Sequence, residues 1–170
     1  MTEHRTLALL RHGKSAYPDG VVDHDRPLAP RGVREAALAG DWLRANVPAV
    51  ELVLCSTATR ARQTLARAAV PAPVKYVERL YGAGFTTVVD EISTVDDDIT
   101  SLLVVGHEPT MSDVAIGLAG EGTDIHLAER ISTKFPTSAI AVLAVSCRWQ
   151  RLEPGLKAGK AALVDFHVPR

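Results

Sequence analysis

The sequence predicts an α/β fold with a central sheet, and three observations support this prediction. Short apolar runs such as Leu52-Val53-Leu54-Cys55 have the length and composition of buried strands. Longer segments between them carry apolar residues at helical spacing. Strand-like and helix-like segments alternate along the whole chain, which is the order that builds a sheet covered by helices.

The length and net charge of the chain limit the kinds of protein to which it can belong. Its 170 residues match one domain, so we expect a single domain over 1–170, and 46% hydrophobic residues are enough for a core. A formal net charge of −1 argues against general affinity for nucleic acid, so an anion site must be built locally. We expect no leader peptide, because residues 1–5 run directly into a short apolar strand, and no run approaches the ~20 apolar residues of a membrane span. We therefore expect a cytoplasmic protein with no membrane or nucleic-acid partner.

The first half of the chain predicts two strands and two helices. The apolar run 6–10 ends in polar residues, as a buried strand does where it leaves the sheet. Pro30 suits the first turn of a helix that ends near Asn46 or Pro48, and Gly40 on its apolar stripe allows close packing. A strand over 52–55 is followed by a helix over 59–69, which ends before Pro71.

The second half predicts the remaining elements. We expect a short strand over 74–77, a helix over 86–93, and the clearest strand of the chain over 101–105. A helix follows from Thr110 or Met111 to Gly120. A buried strand over 138–145 and two closing strands over 149–152 and 162–166 complete the pattern. The segment 121–136 has the weakest pattern, and we assign no element to it.

Histidines follow two of the predicted strands. His12 comes after the first strand in Arg11-His12-Gly13, and His107 comes after Gly106 at the end of strand 101–105. Ligands of open α/β sheets bind beyond the carboxyl ends of the strands, so both histidines lie where such a site is expected.

The segment from Arg11 to Ser15 has the chemistry of phosphoryl transfer. A neutral imidazole such as that of His12 is a competent nucleophile at neutral pH without a metal. Arg11 offers a planar fork that pairs with phosphate oxygens, and Gly13 permits close approach of the backbone. Lys14 and Ser15 add a charge and a hydroxyl. By itself this segment also fits an ordinary strand-end histidine beside a surface arginine.

Arg60 and His107 extend the pattern. Arg60 lies in the first turn of a helix directly after a strand, where free N–H groups and the helix dipole favour anions. His107 could donate to a phosphate oxygen.

Taken in order, these motifs resemble the histidine phosphatase (phosphoglycerate-mutase-like) superfamily. The resemblance rests on Arg-His-Gly after the first strand, Ser-x-x-x-Arg-Ala-x-Gln-Thr after the second and Gly-His after a later one, and covers about 7–145. The stretch 23–32 and the short chain resemble the small SixA-type phosphohistidine phosphatases. The resemblance implies a three-layer α/β/α sandwich with a mostly parallel sheet.

The resemblance also implies roles for individual residues. His12 matches the nucleophile of the family, and Arg11, Arg60 and His107 match the rest of the phosphate pocket. Ser15 matches a pocket hydroxyl that many members have.

The proton donor stays open at this stage. Glu78 falls about where the larger mutase branch keeps an acid, but it is equally a solvated residue at a strand end. Glu108 follows His107 directly. A carboxylate there repels a phosphate unless it points away or is itself the proton donor.

The functional hypothesis is a phosphatase with a phosphohistidine intermediate on His12, acting on a phosphohistidine of a protein. An imidazole leaving group needs less acid help than an alkoxide, and a short chain leaves the pocket open. The alternatives are a phosphatase of small phosphomonoesters and a non-catalytic phosphate-binding module. We expect no cofactor, no metal and a monomer, with a phosphorylated protein or a small phosphate ester as partner.

Overall fold

A computed structural model describes residues 4–154 and 160–170 of the chain. No helix in these two ranges is long and apolar enough to cross a membrane. The elements in chain order are β1 (Arg5–Arg11), α1 (Pro30–Asn46), β2 (Leu52–Ser56), α2 (Thr59–Ala68), β3 (Val74–Val77), α3 (Phe85–Ile92), β4 (Ser101–Gly106), α4 (Thr110–Leu118), α5 (Ile125–Thr133), β5 (Ile140–Val145) and β6 (Ala161–His167). Single turns of 3-10 helix occur at Asp23–Asp25, Glu78–Leu80 and Trp149–Arg151.

The strands form one sheet in the order β3-β2-β4-β1-β5-β6. Strands β1 to β4 are mutually parallel, whereas β5 runs antiparallel to β1, and β6 runs antiparallel to β5. The predicted mostly parallel sheet is confirmed. Because parallel strands end at the same edge, the segments that follow β1, β2 and β4 meet there.

Alternate residues of the central strands face two separate cores. Leu7 and Leu9 of β1 pack in one core with residues of α3, α4 and α5, whereas Ala8 and Leu10 pack in the other with residues of α1 and α2. Successive side chains of a strand point to opposite faces, so a sheet covered on both faces needs uninterrupted apolar runs. The result is the three-layer α/β/α sandwich that the resemblance implied.

Helices α1 and α2 touch through their backbones at Gly40. A Cβ at this position would lie 1.9 Å from the carbonyl oxygen of Ala68, the last residue of α2. The close packing expected at Gly40 is therefore confirmed.

Replacing Gly40 with alanine should lower the free energy of unfolding by about 2 kcal/mol, because the added methyl group forces the helices apart. This cost exceeds the gain of up to about 1 kcal/mol in helix propensity. Urea denaturation measures the change. Gly84→Ala is the matched control, because a Cβ at Gly84 meets no atom within 4 Å. Equal stability of the two variants would contradict the tight contact.

The predicted strand over 149–152 is wrong. Residues Trp149–Arg151 form a 3-10 turn, and the Trp149 side chain is fully buried in the core, where its indole N–H donates to the carbonyl of Ile99 at 2.8 Å. Trp149, the apolar residue that suggested a strand, instead packs into the core from a turn of the chain.

Two boundaries between 121 and 145 also differ from expectation. Ser138 has a φ of +62°, outside the extended region, so β5 begins at Ile140 and not at 138. Helix α5 was not predicted. The Asp124 carboxylate accepts the N–H of His126 at its start, but Ile131 is its one fully buried side chain, so the apolar stripe is weak.

Candidate active site

The ends of β1 and β4 bring the two predicted histidines together. The strands pair with Arg11 opposite Gly106, and the backbone N–H of His12 donates to the carbonyl of Gly106 at 3.0 Å. His12 directly follows β1, and His107 directly follows β4. Both are buried, and their ring centroids lie 5.2 Å apart.

The His12 ring is held in one tautomer by its own loop. Nδ1 lies 2.7 Å from the carbonyl oxygen of Gly13. A carbonyl can only accept, so Nδ1 carries the proton and Nε2 keeps its lone pair. The N–H of Gly13 donates to Oγ1 of Thr64 at 2.8 Å, and this hydroxyl donates to the carbonyl of Arg60 at 2.7 Å. The loop after β1 is therefore tied to α2.

Arg60 is oriented by Asp23 from the loop between β1 and α1. Its Nη1 donates to the Asp23 carbonyl at 2.7 Å, and its Nη2 donates to the carboxylate at 3.1 Å. The same carboxylate accepts the hydroxyl of Tyr81 at 2.6 Å and Nε of Arg26 at 3.0 Å. One carboxylate thus joins the loop, α2 and the segment after β3.

His107 and Arg11 are each held at one end. Nε2 of His107 lies 2.8 Å from Oγ of Ser56, which also accepts the N–H of Ala58 at 3.2 Å. Nη1 of Arg11 donates to the carbonyl of Phe135 at 2.8 Å. Each side chain keeps a further nitrogen for another partner.

Three buried nitrogens of the site have no hydrogen-bond partner among the described residues: Nε of Arg11, Nε of Arg60 and Nδ1 of His107. Buried polar atoms are normally paired, and leaving one unpaired costs about 1–3 kcal/mol. An anion with several acceptor oxygens is the ligand that such a set suits best.

These side chains surround a cavity of about 240 Å³ at the carboxyl edge of the sheet. The lining consists of Arg11, His12, Lys14, Ser15, Tyr17, Arg26, Arg60, His107, Glu108 and Thr137. Four of these residues carry a cationic side chain and one carries a carboxylate, so the lining favours an anion.

A larger cavity, of about 510 Å³, lies at the opposite edge of the sheet, beside Arg5 and Thr100. The Arg5 guanidinium there donates to the carbonyls of Cys147 and Asp97. Because ligands of open α/β sheets bind beyond the carboxyl ends of the strands, we assign the candidate site to the smaller cavity.

Comparison with known proteins agrees with this geometry. Residues 7–88 match the histidine phosphatase superfamily (branch 1). A solved structure from Nakamurella multipartitia, assigned as a SixA phosphohistidine phosphatase, is 37% identical with a TM-score of 0.87, over 98% of this chain and 97% of its own. The chain belongs to the histidine phosphatase superfamily and is of the SixA type.

Two further relatives cover nearly the whole of this histidine phosphatase. An uncharacterized protein of Mycobacterium tuberculosis is 67% identical over 162 residues, which are 95% of this chain and 100% of the relative. The phosphohistidine phosphatase SixA of Escherichia coli is 28% identical over 165 residues, which are 90% and 97% of the two chains. The similarity to SixA proteins and the match to the family support phosphatase activity.

Burial keeps both histidines of this histidine phosphatase neutral. It lowers the pKa of His12 to about 3, a shift that the hydrogen bond to Gly13 opposes and that His107 and Arg60 reinforce. It lowers the pKa of His107 to about 4, with Arg60 adding to the effect. At neutral pH the cavity thus has uncharged imidazoles among fixed cations.

The structure brings six of the predicted site residues to one cavity: Arg11, His12, Lys14, Ser15, Arg60 and His107. Two further lining residues, Tyr17 and Arg26, lie in the loop 17–30 and were not predicted individually. Arg26 stands in the stretch 23–32 that carried the SixA resemblance, which was the available signal. Its Nη1 donates to Oγ of Ser15 at 2.6 Å.

The two candidate proton donors, Glu78 and Glu108, lie at different places in the structure. Glu78 does not line the cavity. It is exposed and begins the turn that follows β3. Strand β3 is the third strand from β1 in the sheet, and each step between neighbouring strands is about 4.8 Å. Glu108 does line the cavity, and its two carboxylate oxygens accept the N–H and the hydroxyl of Ser112 at 2.7 and 2.8 Å.

We expect the rings of His12 and His107 to stay neutral when the pH falls from 7 to 5. An unperturbed histidine gains its proton near pH 6.5, whereas the lowered pKa values of about 3 and about 4 delay protonation to more acidic solution. NMR titration of the ring carbons and protons measures this directly. A midpoint between pH 6 and 7 for either ring would contradict the burial argument.

Proposed function

We propose that this histidine phosphatase hydrolyses a phosphohistidine carried by a protein, with the phosphoryl group held in transit on Nε2 of His12. One observation carries the proposal. The ring of His12 is neutral, its Nδ1 proton is engaged by the Gly13 carbonyl, and its Nε2 keeps a lone pair in a cavity lined by arginines.

The first step forms the bond from Nε2 of His12 to phosphorus in line with the bond that breaks. The electron pair of the broken bond returns to the leaving nitrogen, and the substrate imidazole leaves neutral when its other nitrogen carries a proton. Arg11, Arg60 and His107 stabilise the charge on the three phosphoryl oxygens. Their unpartnered nitrogens support this role.

In the second step water attacks the same phosphorus. The bond to Nε2 of His12 breaks, its electron pair returns to the ring, and phosphate is released with the oxygen and protons of the water. The proton on Nδ1 stays bound to the ring throughout and donates to the Gly13 carbonyl. A neutral ring is thus restored for the next cycle.

The surroundings of the cavity support a protein substrate. Lys14 and Tyr17 line the cavity and are exposed, so its mouth is open to solvent. Among the described residues, Glu108 is the one carboxylate in the lining, and both its oxygens are occupied by Ser112. A site with no unengaged acid suits an imidazole leaving group better than an alkoxide.

A phosphatase of small phosphomonoesters is the second candidate, and the place of Glu108 favours it. A carboxyl group in the lining can protonate an alkoxide if it leaves Ser112.

Replacing His12 with alanine should lower phosphate release from a histidine-phosphorylated carrier protein by about 10³-fold or more, because the phosphoryl acceptor is removed. The wild-type enzyme should also carry an acid-labile phosphoryl group after a rapid quench, and its rate should not change with EDTA. His126→Ala is the control, since that side chain is 87% exposed. A His12→Ala enzyme that keeps most of its activity would rule out the mechanism.

Glu108→Gln and Glu78→Gln distinguish the two substrate classes. If the leaving group is an imidazole, both variants should turn over phosphohistidine at near the wild-type rate, because neither carboxylate is needed as an acid. Steady-state rates on phosphohistidine and on glycerol phosphate measure this. A loss of about 10²-fold on glycerol phosphate alone in Glu108→Gln would identify Glu108 as the proton donor to an alkoxide. A wild-type rate that is higher on glycerol phosphate than on phosphohistidine would then favour the second candidate.

A further inference from the structure

Tyr17 and Arg26 form a stacked pair at the mouth of the cavity. The guanidinium carbon of Arg26 lies 4.1 Å from the centroid of the Tyr17 ring, and both residues line the cavity. Tyr17 is 74% exposed, whereas the Arg26 side chain is 12% exposed. A nearly buried cation therefore supports one side of a ring that is otherwise open to solvent.

The support beneath this ring is rigid. Nη1 of Arg26 donates to Oγ of Ser15 at 2.6 Å, and Nε donates to the carboxylate of Asp23 at 3.0 Å. Asp23 is itself held by Arg60. The guanidinium on which the Tyr17 ring rests is therefore held in place before substrate arrives, which reduces the entropy lost on binding.

The in-line geometry of phosphoryl transfer determines which part of the substrate lies next to the Tyr17 ring. The leaving group must lie opposite the attacking nitrogen of His12, and His12 is 7% exposed. The leaving group is consequently on the mouth side of the phosphoryl group, where Tyr17 lies. Tyr81 does not line the cavity, and its hydroxyl donates to Asp23 while its ring makes T-shaped contacts with His24 and His107.

We infer that Tyr17, backed by Arg26, is a subsite for a planar aromatic leaving group and sets specificity for the imidazole ring of phosphohistidine. The inference rests on the proposed function and names the residue that selects its substrate class. Stacking between two rings is worth about 3- to 10-fold in rate when it is kept in the transition state. An alkyl phosphate has no ring and gains nothing from Tyr17.

The test compares kcat/KM for three substrates, phosphohistidine, p-nitrophenyl phosphate and glycerol phosphate, in Tyr17→Ala and Tyr17→Phe. Tyr17→Ala should lose about 3- to 10-fold on the two ring-bearing substrates and keep its rate on glycerol phosphate. Tyr17→Phe should keep the wild-type rate on all three, because stacking needs the ring and not the hydroxyl.

Tyr76→Ala is the matched control. Tyr76 is a second exposed tyrosine with an arginine over its ring, since the guanidinium carbon of Arg62 lies 5.1 Å from its centroid, but it belongs to β3 and does not line the cavity. Tyr76→Ala should leave all three rates unchanged.

Three outcomes would overturn the subsite: an equal loss on all three substrates in Tyr17→Ala, an unchanged rate on phosphohistidine in that variant, or an equal loss in Tyr17→Phe. Failure of the proposed function looks different, because the wild-type enzyme itself would then not hydrolyse phosphohistidine. In that case, the ratio of rates on the aryl and alkyl phosphates still reports whether Tyr17 binds an aromatic leaving group.

Discussion

The hydrogen bond from the backbone N–H of His12 to the carbonyl of Gly106 is the contact on which the site depends. It extends the parallel pairing of β1 and β4 by one residue beyond the end of β1. His12 and His107 consequently leave the sheet side by side. Strand β2 lies next to β4, so its last residue, Ser56, meets the ring of His107, and α2 begins within reach of the same cavity.

A second constraint comes from the carboxylate of Asp23. Hydrogen bonds from Tyr81, Arg60 and Arg26 hold the pKa of this carboxyl well below its usual range, so it stays ionised. Its side chain is 54% exposed, and a solvent-screened ion pair of this kind adds little to stability. Its effect is to orient: it directs Arg60 and Arg26 toward one cavity and draws the loop 17–30 against α2.

These two constraints explain the electrostatic character of the site. Burial keeps the imidazoles of His12 and His107 uncharged, and the cations are supplied by arginines whose protonation does not change near neutral pH. The nucleophile is therefore a neutral histidine, and the anion is bound by arginines. This separation is what the proposed phosphoryl transfer through His12 requires.

The α/β class, the two histidines at strand ends and Arg60 in the first turn of a helix can be predicted from the sequence, because each depends on local periodicity or on a short motif. The sequence indicated the loop 17–30 as a possible rim of the pocket but did not single out Arg26 and Tyr17 within it, and it could not separate Glu78 from Glu108. The expectation that Gly13 lets a phosphate approach the backbone stays a prediction, and packing gives a further reason for glycine, because a Cβ there would meet Gly32 O at 3.0 Å and Ser138 Oγ at 3.1 Å. These points depend on the folded arrangement, because strand order sets the distance from β3 to His12, and long-range loop packing sets which side chains reach the cavity.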